Sequence, residues 1–271
     1  ADIVHAFEVK GLEALPTDGP CLFITPHSTH NIDIFICLFK MQRLCGRFPR
    51  GLFHRGVMLN VGWIIRYFGG VPGRRDIARE LAEAGIHTAC IPGGVEDVLH
   101  HLTANGKTAY ELCWESHNNP GVLRTGFGNV ASEIGQGFKI VPLFCENGEE
   151  IKLNVVFEIW TGLKLDVLYG SVMRRMPSPI HWFMWQVAIC TWCSLSMLSI
   201  VVPVKVTAHL GAPLPVLPGE TSEQVATRAH RALQDLIDSV QGRRHRSYSI
   251  GLQQRWQHLK LQLKLQEPKR E

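Results

Sequence analysis

The sequence has few charged side chains, and its charge pattern excludes some classes of ligand. Lys, Arg, Asp and Glu make up 19% of the 271 residues, whereas soluble domains average roughly 25%. The net charge of +4 is small, and no basic stripe with interleaved aromatic residues is present, so nucleic acid is not an expected partner. A small positive charge is compatible with an anionic membrane surface or an anionic thioester substrate.

Motifs of several enzyme and structural classes are also missing. The chain has no internal repeat, no low-complexity linker and no Gly-x-Ser-x-Gly nucleophile elbow. These absences argue against a repeat architecture and against a serine lipase or esterase. The chain begins with Ala1 and carries no charged-then-apolar signal, which is compatible with a missing upstream segment such as a membrane anchor.

The eight cysteines lie mostly in apolar runs and have no regular framework spacing. This pattern favours a reduced domain that faces the cytosol over a disulfide scaffold. Cys190 and Cys193 form a CxxC, but no second pair of ligands lies near them in the sequence. Zinc or redox chemistry at this pair is therefore the less favoured interpretation.

Short β-rich runs alternate with helical segments over most of the chain. This order predicts an α/β fold with a mixed, largely parallel sheet flanked by helices. The predicted strands are Val4–Val9, Cys21–Thr25, Gly51–Arg55, His87–Ile91, Lys139–Phe144, Ile151–Phe157 and Val204–His209. The predicted helices are Asn31–Leu44, Leu59–Tyr67, a helix capped by Asp76 that runs to Ala84, Arg124–Ile134 and Ser222–Val240.

Ile180–Val202 is a 23-residue run without Lys, Arg, Asp or Glu. As a helix it would be roughly 35 Å long, enough to cross a bilayer core. However, predicted strands of one sheet lie on both sides of it, and a single crossing would separate them. We therefore expect a membrane-associated insertion at 180–202, as a monotopic or re-entrant helical pair in one leaflet. A buried core helix is the alternative.

We divide the chain into a main domain, residues 1–242, and a basic, amphipathic C-terminal tail, residues 243–271. The tail begins with the basic cluster Arg243–Arg246, and from Leu259 to Leu265 leucines alternate with polar residues. Alternation is a strand-like period, so it favours a membrane-surface helix only weakly. A solvated or disordered tail is an equal alternative.

One candidate catalytic motif follows a predicted strand and opens a predicted helix. It reads Thr25-Pro-His-Ser-Thr-His-Asn-Ile-Asp33, and α/β proteins place their sites at the carboxyl ends of strands. If the loop folds back, the Asp33 carboxylate would fix the tautomer of His27 and raise its basicity. Such a base can remove the proton of an alcohol. His30 lies three residues before Asp33 and is a rival for its carboxylate.

A second motif, Ile91-Pro-Gly-Gly-Val95, also follows a β-rich run and is predicted to start a helix. Gly93 and Gly94 would let backbone amides approach a ligand, and a helix N-terminus favours an anion or an oxyanion. A plain turn is the alternative.

Five blocks of the sequence resemble, in the right order, those of the glycerolipid acyltransferase superfamily, which includes lysophosphatidic-acid acyltransferases. The blocks are His27–Asp33, Phe68–Arg74, Ile91–Val95, Arg124–Gly128 and Ile140–Phe144. The greatest resemblance is to the transmembrane protein 68 branch, which is diacylglycerol acyltransferase-like. Its His-x5-Asp spacing matches this chain, whereas most of the superfamily has His-x4-Asp.

A substitution in the third block indicates the charge of the acceptor. Lysophosphatidic-acid enzymes carry Glu-Gly-Thr-Arg there, and the resemblance implies that the Arg holds the phosphate of the acceptor. This chain has Glu96 at that place, and a carboxylate repels a phosphomonoester. We therefore expect a neutral acceptor, monoacylglycerol or diacylglycerol. The role of Glu96 itself stays open.

The resemblance implies a membrane-bound O-acyltransferase of glycerolipid and triacylglycerol biosynthesis, with its catalytic domain on the cytosolic side of the endoplasmic reticulum membrane. His27 would be the general base and Asp33 its partner. The implied substrate-binding residues are Arg74, Gly93, Gly94, Asp97 and Arg124. Acyl-CoA would be the donor substrate, with no bound cofactor and no metal. The alternatives are a lysophospholipid acyltransferase and a non-catalytic lipid-binding relative.

Overall fold

The computed structural model describes the chain except for residues 1, 47, 95–96, 98–107, 117–118, 154, 174, 178, 181, 185, 189–190, 192–198, 243–244 and 267–271. The strands are β1 (Glu8–Lys10), β2 (Cys21–Ile24), β3 (Arg50–Phe53), β4 (Val71–Pro72), β5 (Thr88–Cys90), β6 (Glu115–Ser116), β7 (Asn119–Leu123), β8 (Lys139–Glu146), β9 (Lys152–Leu153), β10 (Ile200–Val201), β11 (Thr207–Leu210) and β12 (Leu214–Pro215). The helices are α1 (Asp2–His5), α2 (Ile32–Cys45), α3 (Arg55–Tyr67), α4 (Arg75–Glu83), α5 (Gly126–Ile134), α6 (Val155–Gly162), α7 (Leu165–Met173), α8 (Ser222–Gln241) and α9 (Tyr248–Gln266).

Eight strands form one mixed sheet in the order β1-β11-β8-β2-β5-β3-β4, with β12 also paired to β8. The five strands from β8 to β4 run parallel to one another. At the other side, β11 pairs antiparallel with β8, and β1 pairs parallel with β11. The predicted mixed, largely parallel sheet flanked by helices is therefore confirmed.

The alternating side chains of β2 supply both faces of the core, as expected for a central strand. Cys21 and Phe23 join a buried cluster with residues of α2, while Leu22 and Ile24 join a second cluster with residues of α8. Helix α8 begins with a capping box between Thr221 and Gln224, which satisfies the free amides of its first turn. The helices thus cover the sheet on both sides.

Three of the predicted elements are wrong in kind or in their boundaries. Val4–Val9 contains the end of α1 and the start of β1 rather than one strand, and Ile151–Phe157 contains only the short β9 before α6 begins at Val155. Both runs contain β-branched and aromatic residues, whose strand propensity is weaker than the tertiary context. Asp76 is not the cap of α4: Arg74 holds that position and Asp76 lies in the first turn, where an acidic side chain complements the helix dipole.

Residues between β9 and β10 form an apolar excursion from the domain. The two strands pair antiparallel, with Leu153 opposite Ile200, so the excursion leaves and returns at the same place. It contains α6 and α7, and large apolar side chains of both helices are exposed, among them Ile159, Val167 and Leu168. Within the described residues, no helix is long and apolar enough to span a bilayer. The CxxC at Cys190 and Cys193 lies outside the described residues.

The C-terminal tail contains a 19-residue helix, α9, that packs on the domain. The Gln254 amide donates to Glu146 Oε1 (3.0 Å) and accepts from Asn147 Nδ2 (2.6 Å), while Arg255 Nη2 donates to the Ile3 carbonyl (2.6 Å). The strand-like alternation of its leucines does not correspond to a strand, and Leu261 and Leu263 are exposed on the helix. These hydrogen bonds hold α9 against the domain.

The fourth motif block contains two glycines of α5, and only Gly128 lies close to α8. A Cβ added at Gly128 would lie 2.5 Å from the Ser222 carbonyl oxygen, whereas a Cβ at Gly126 would meet no atom within 4 Å. We expect Gly128→Ala to lower the free energy of unfolding by about 1–3 kcal/mol, because backbone must move to relieve the contact. Urea denaturation would measure the loss.

Gly126→Ala is the matched control on the same helix. It is expected to leave the free energy of unfolding unchanged or to raise it by up to about 1 kcal/mol, because alanine favours helix more than glycine does. Equal losses in the two variants would contradict the close approach of α5 to the first turn of α8.

Candidate active site

The carboxyl ends of β2, β5 and β8 meet at one edge of the sheet. Because these strands run parallel, the loops that follow them converge there. The loop after β2 carries His27, the loop after β5 carries Gly93 and Gly94, and the turn after β8 carries Glu149 and Glu150. This edge is where α/β proteins build their sites.

The ring of half-buried His27 makes two hydrogen bonds within its own loop. Its Nδ1 lies 2.9 Å from the Ser28 carbonyl oxygen, and its Nε2 lies 3.0 Å from Asn31 Nδ2. A carbonyl oxygen only accepts, so Nδ1 carries the proton and Nε2 of the neutral ring carries the lone pair. The assignment makes Nε2 the basic atom of His27.

Asp33, the predicted partner of His27, lies in the first turn of α2 and is buried. Its Oδ1 accepts a hydrogen bond of 2.6 Å from the Ser28 hydroxyl. That hydroxyl in turn accepts one from the Asn31 backbone amide at 2.9 Å. Among the described contacts, no hydrogen bond joins Asp33 directly to the His27 ring. The two residues are linked through Ser28, whose carbonyl binds the ring and whose hydroxyl binds the carboxylate. The role of Asp33 as catalytic partner stays a prediction.

The electrostatic environment of Asp33 disfavours its charge. Burial raises the pKa of Asp33 to about 6, the Glu149 carboxylate adds to the rise, and the hydrogen bond from Ser28 opposes it. Gly148 is also required beside it, because a Cβ there would lie 2.7 Å from Asp33 Oδ2. The turn after β8 therefore packs directly against this carboxylate.

The Pro-Gly-Gly loop is joined to the His27 loop by Asp97, which is fully buried. Its carboxylate accepts from the His27 backbone amide (3.3 Å) and from the Cys113 backbone amide (2.7 Å). A Cβ at Gly93 would lie within 2.3 Å of this carboxylate, so only glycine fits. Arg124 Nη1 donates to the Gly93 carbonyl at 3.0 Å. The structure thus brings Gly93, Asp97, Arg124 and His27 together.

Gly94 and Arg74 have contacts that bear on their predicted roles. The Gly94 amide donates to the Ile91 carbonyl at 3.2 Å, so it belongs to the turn. Arg74 is mostly exposed, and its guanidinium binds the neighbouring Asp76, with Nε donating at 3.0 Å. Glu96, expected to set the charge preference for the acceptor, lies outside the described residues.

His30, the rival histidine, occupies a different environment from His27. Its Nδ1 is buried and has no hydrogen-bond partner among the described residues. Burial lowers the pKa of His30 to about 4, although the nearby Glu149 carboxylate opposes this shift. His30 is therefore neutral at pH 7 and is a weak base.

Two buried acidic residues of this edge, Glu149 and Glu150, did not follow from the motifs. Glu149 accepts from the Thr29 amide (3.0 Å) and the Thr29 hydroxyl (2.6 Å). Glu150 accepts from the Tyr110 hydroxyl and from the Ser247 amide (2.7 Å). Their position directly after a predicted parallel strand was the available signal, since such positions face the same edge as His27.

Two cavities in the described part of the chain lie away from this edge. One, of about 850 Å³, lies at the start of α8 near Glu220 and Arg228. The other, of about 230 Å³, lies between the sheet and α9 near Lys10 and His258. Neither has His27 at its floor. The segments 95–96 and 98–107 beside the Pro-Gly-Gly loop are outside the described residues.

Asp33 and His30 predict opposite effects of pH on stability. A carboxyl whose pKa is raised from 3.8 to about 6 stabilises the fold as pH falls below 6, because the folded state then binds the proton more tightly. A histidine whose pKa is lowered from 6.5 to about 4 destabilises the fold as pH falls below 6.5. Between pH 6.5 and pH 4 the two contributions offset each other.

Relative to the wild type, Asp33→Asn should therefore lower the free energy of unfolding as pH falls from 6.5 to 4, while His30→Gln should raise it over the same range. Each effect is expected to be about 1–3 kcal/mol, since one pKa unit corresponds to about 1.4 kcal/mol. Urea denaturation at both pH values would measure them. Parallel pH dependence in wild type and both variants would contradict the burial of these groups.

Comparisons with known proteins relate this chain to lipid-synthesising enzymes, although no family model matches it. The proteins of Bos taurus and Homo sapiens named "DGAT1/2-independent enzyme synthesizing storage lipids" are each 28% identical to it over 243 residues, or 89% of this chain. The chain spans 62% and 64% of their respective lengths.

Two weaker similarities accompany these. "Phytyl ester synthase 2, chloroplastic" of Arabidopsis thaliana is 27% identical over 159 residues, which is 55% of this chain and 21% of that protein. The crystal structure of the 1-acyl-sn-glycerophosphate (LPA) acyltransferase PlsC from Thermotoga maritima superposes with a TM-score of 0.46 at 13% identity, covering 86% of this chain and 71% of that one.

The sequence similarity to the storage-lipid enzymes extends over most of this chain. By this similarity the chain is a relative of those enzymes.

Proposed function

We propose that this chain is a membrane-bound O-acyltransferase that transfers a fatty acyl group to a hydroxyl of a neutral glycerolipid, with His27 as general base. The observation that carries the proposal is the ring geometry of His27 at the carboxyl end of β2. Its Nδ1 binds the Ser28 carbonyl, which leaves the Nε2 lone pair as the basic atom. The names of the relatives support the reaction class.

The environments of the two histidines support His27 over His30. A general base works best when its pKa is near the pH at which it operates. Burial lowers the pKa of His30 to about 4, which makes its neutral ring a poor proton acceptor. His27 is half-buried, and its basic nitrogen contacts the Asn31 side-chain amide, which a substrate hydroxyl can displace.

In the proposed reaction, Nε2 of His27 takes the proton from the acceptor hydroxyl while the hydroxyl oxygen attacks the thioester carbonyl. The new C–O bond forms, the carbonyl electrons move to its oxygen, and the C–S bond then breaks. The leaving thiolate takes the proton from His27, so the histidine returns to its neutral state. No covalent intermediate with the enzyme is required, in keeping with the missing nucleophile elbow.

The loop after β5 would stabilise the oxyanion of this reaction. Backbone amides aimed at a developing negative charge lower the barrier in acyl transfer. Since the Gly94 amide belongs to the turn, the Gly93 amide is the candidate donor. Asp97 would hold the two loops together, because its carboxylate accepts from the His27 backbone amide. Arg124 would hold the loop after β5, because it donates to the Gly93 carbonyl.

Asp33 would act on His27 through Ser28. The carboxylate fixes the Ser28 hydroxyl, and the carbonyl of the same residue fixes the His27 ring. A positive charge that develops on the ring would also interact favourably with the carboxylates of this edge. This arrangement keeps the tautomer that a general base needs without a direct His–Asp hydrogen bond.

The acceptor is proposed to be monoacylglycerol or diacylglycerol, on the basis of Glu96 in the place of a phosphate-binding Arg. The donor is proposed to be acyl-CoA, a substrate rather than a bound cofactor. Arg74 is the candidate contact for its phosphates, because its guanidinium is exposed and pairs only with the adjacent, exposed Asp76 in the described contacts. A phosphate would compete with Asp76 for this side chain.

The apolar excursion is proposed to hold the domain against the endoplasmic reticulum membrane, with the site on the cytosolic side. It begins after β9, which directly follows the turn after β8, and that turn lies at the edge that carries His27. Trp182 and Phe183 are 58% and 60% exposed, and aromatic side chains favour the membrane interface. Such a placement would bring a lipid acceptor to the site without its leaving the bilayer surface.

The reaction is tested by transfer of labelled acyl-CoA to monoacylglycerol, diacylglycerol and lysophosphatidic acid in membranes. We expect product with the neutral acceptors, a loss of at least about 100-fold with His27→Ala, and activity within a few-fold of wild type with His30→Gln. Loss with His30→Gln alone would move the base to His30. Preference for lysophosphatidic acid would overturn the neutral acceptor, and absence of any product would favour a lipid-binding relative without activity.

The membrane contact is tested by flotation with lipid vesicles. Replacing both Trp182 and Phe183 by Ser should lower the vesicle-bound fraction about tenfold or more, since each large apolar side chain contributes about 1 kcal/mol or more when it enters an apolar phase. Leu217→Ser, at another exposed apolar residue, is the control and should leave binding unchanged. Equal effects of the two changes would argue against a specific contact through the excursion.

A further inference from the structure

Asn31 contacts the basic atom of the proposed catalytic histidine, although it belongs to none of the predicted site residues. Its Nδ2 lies 3.0 Å from His27 Nε2. The neutral ring donates from Nδ1 to the Ser28 carbonyl, so Nε2 accepts and Asn31 must present an N–H group to it. The amide of Asn31 thus occupies the one lone pair that His27 has for a substrate proton.

The backbone at Asn31 holds this amide in place. Asn31 has φ 53°, in the left-handed region, and it is the N-cap residue of α2. Its backbone amide donates to the Ser28 hydroxyl at 2.9 Å, and that hydroxyl donates to Asp33. Asparagine adopts left-handed backbone more readily than most residues do. The same turn therefore fixes the ring, the hydroxyl and the amide.

The other end of the Asn31 amide is unusual. Its Oδ1 is buried and has no hydrogen-bond partner among the described residues. An unpaired buried acceptor is unfavourable, so groups of this kind call for an explanation. An amide can present either of its ends to a neighbour. Rotation of the side chain would turn Oδ1 towards Nε2, where it could accept a hydrogen bond from a protonated ring.

We propose that Asn31 is a positioning residue that covers the lone pair of His27 in the resting site and is displaced by the hydroxyl of the acceptor. The displacement of Asn31 by the acceptor hydroxyl rests on the proposed function, whereas the contact between Asn31 and His27 does not. Until an acceptor arrives, the amide holds the ring in the reactive tautomer. When His27 carries a proton, Oδ1 is available to it.

Among the described residues, four other titratable groups lie in or against the His27 loop, and the variants below leave them unchanged. Asp97 accepts from its backbone amide, and Asp33 acts through Ser28 on α2. Glu149, from the turn after β8, holds the adjacent Thr29, and His30 follows in the same loop. Any change in the titration of His27 between these variants can therefore be assigned to position 31.

Asn31→Asp is the discriminating variant, because aspartate has the same shape, tolerates left-handed backbone and only accepts hydrogen bonds. It should favour the protonated ring and raise the midpoint of the His27 titration by roughly one pH unit or more. Asn31→Gly removes the amide, keeps the backbone free of strain, and should raise the midpoint by roughly 0.5–1 unit, since a hydrogen bond to the neutral ring is lost.

Nitrogen-15 NMR of the histidine rings would measure both the tautomer and the midpoint, with His27→Ala to assign the signal. Asn129→Asp, on α5, is the control for an added carboxylate, and thermal unfolding would check that each variant folds. The expected result is an Nδ1–H tautomer in the wild type. The midpoint of the His27 titration should be highest in Asn31→Asp, intermediate in Asn31→Gly and lowest in the wild type. An unchanged midpoint in Asn31→Asp would overturn the inference.

The acyl-transfer assay separates this inference from the proposed function. If the wild type is active, the acidic limb of the pH profile of kcat/KM should move to higher pH in Asn31→Asp by the same shift as the NMR midpoint. If the wild type is inactive but the NMR midpoints shift as expected, the contact stands and the proposed function fails. If the wild type is active but Asn31→Asp changes neither the pH profile nor the NMR midpoint, the inference fails and Asn31 serves only as a helix cap.

Discussion

Buried carboxylates at one edge of the sheet are the constraint on which the rest of this site depends. Burial of an unpaired charge costs several kcal/mol, so each carboxylate needs hydrogen-bond donors. Asp33 accepts a hydrogen bond from the Ser28 hydroxyl, and Asp97 accepts one from the His27 backbone amide. Glu149 accepts from the backbone amide and the hydroxyl of Thr29. Three consecutive residues are thus held by carboxylates from three different parts of the chain. The position of the His27 ring follows from this backbone.

The same constraint connects the C-terminal segment to the site. Glu150 requires the Ser247 amide, and Arg246 forms an ion pair of 3.0 Å with Glu158 of α6. The charges of Glu149 and Glu158 raise the pKa of Arg246 despite its burial, so this side chain stays cationic beside the acidic edge. Residues after 242 therefore supply hydrogen-bond donors and positive charge to the buried acidic residues of the turn after β8.

Local patterns in the sequence were sufficient for the central elements and insufficient for the contacts between them. The strands β2, β5 and β8 and the helices α2 and α8 follow from apolar runs, turn residues and helix periodicity, and with them the edge at which His27 lies. The hydrogen bond between Asp97 and Cys113 joins segments whose approach no local pattern encodes. Likewise, α9 is held by polar contacts of Gln254, and a helix of this kind leaves no apolar stripe in the sequence.

The spacing of the first motif acquires a physical meaning from the turn at Asn31. Five residues lie between His27 and Asp33, and one of them, Asn31, has a left-handed conformation just before α2 begins. The carboxylate of Asp33 then lies in the first turn of the helix, where the dipole favours a negative charge, and it reaches Ser28 rather than the ring. With this spacing, the serine carries the link between acid and base. A chain of this type can therefore keep His27 oriented even though Asp33 is buried and hard to ionise, because the ring is held by a carbonyl that cannot lose its hydrogen-bonding capacity with pH.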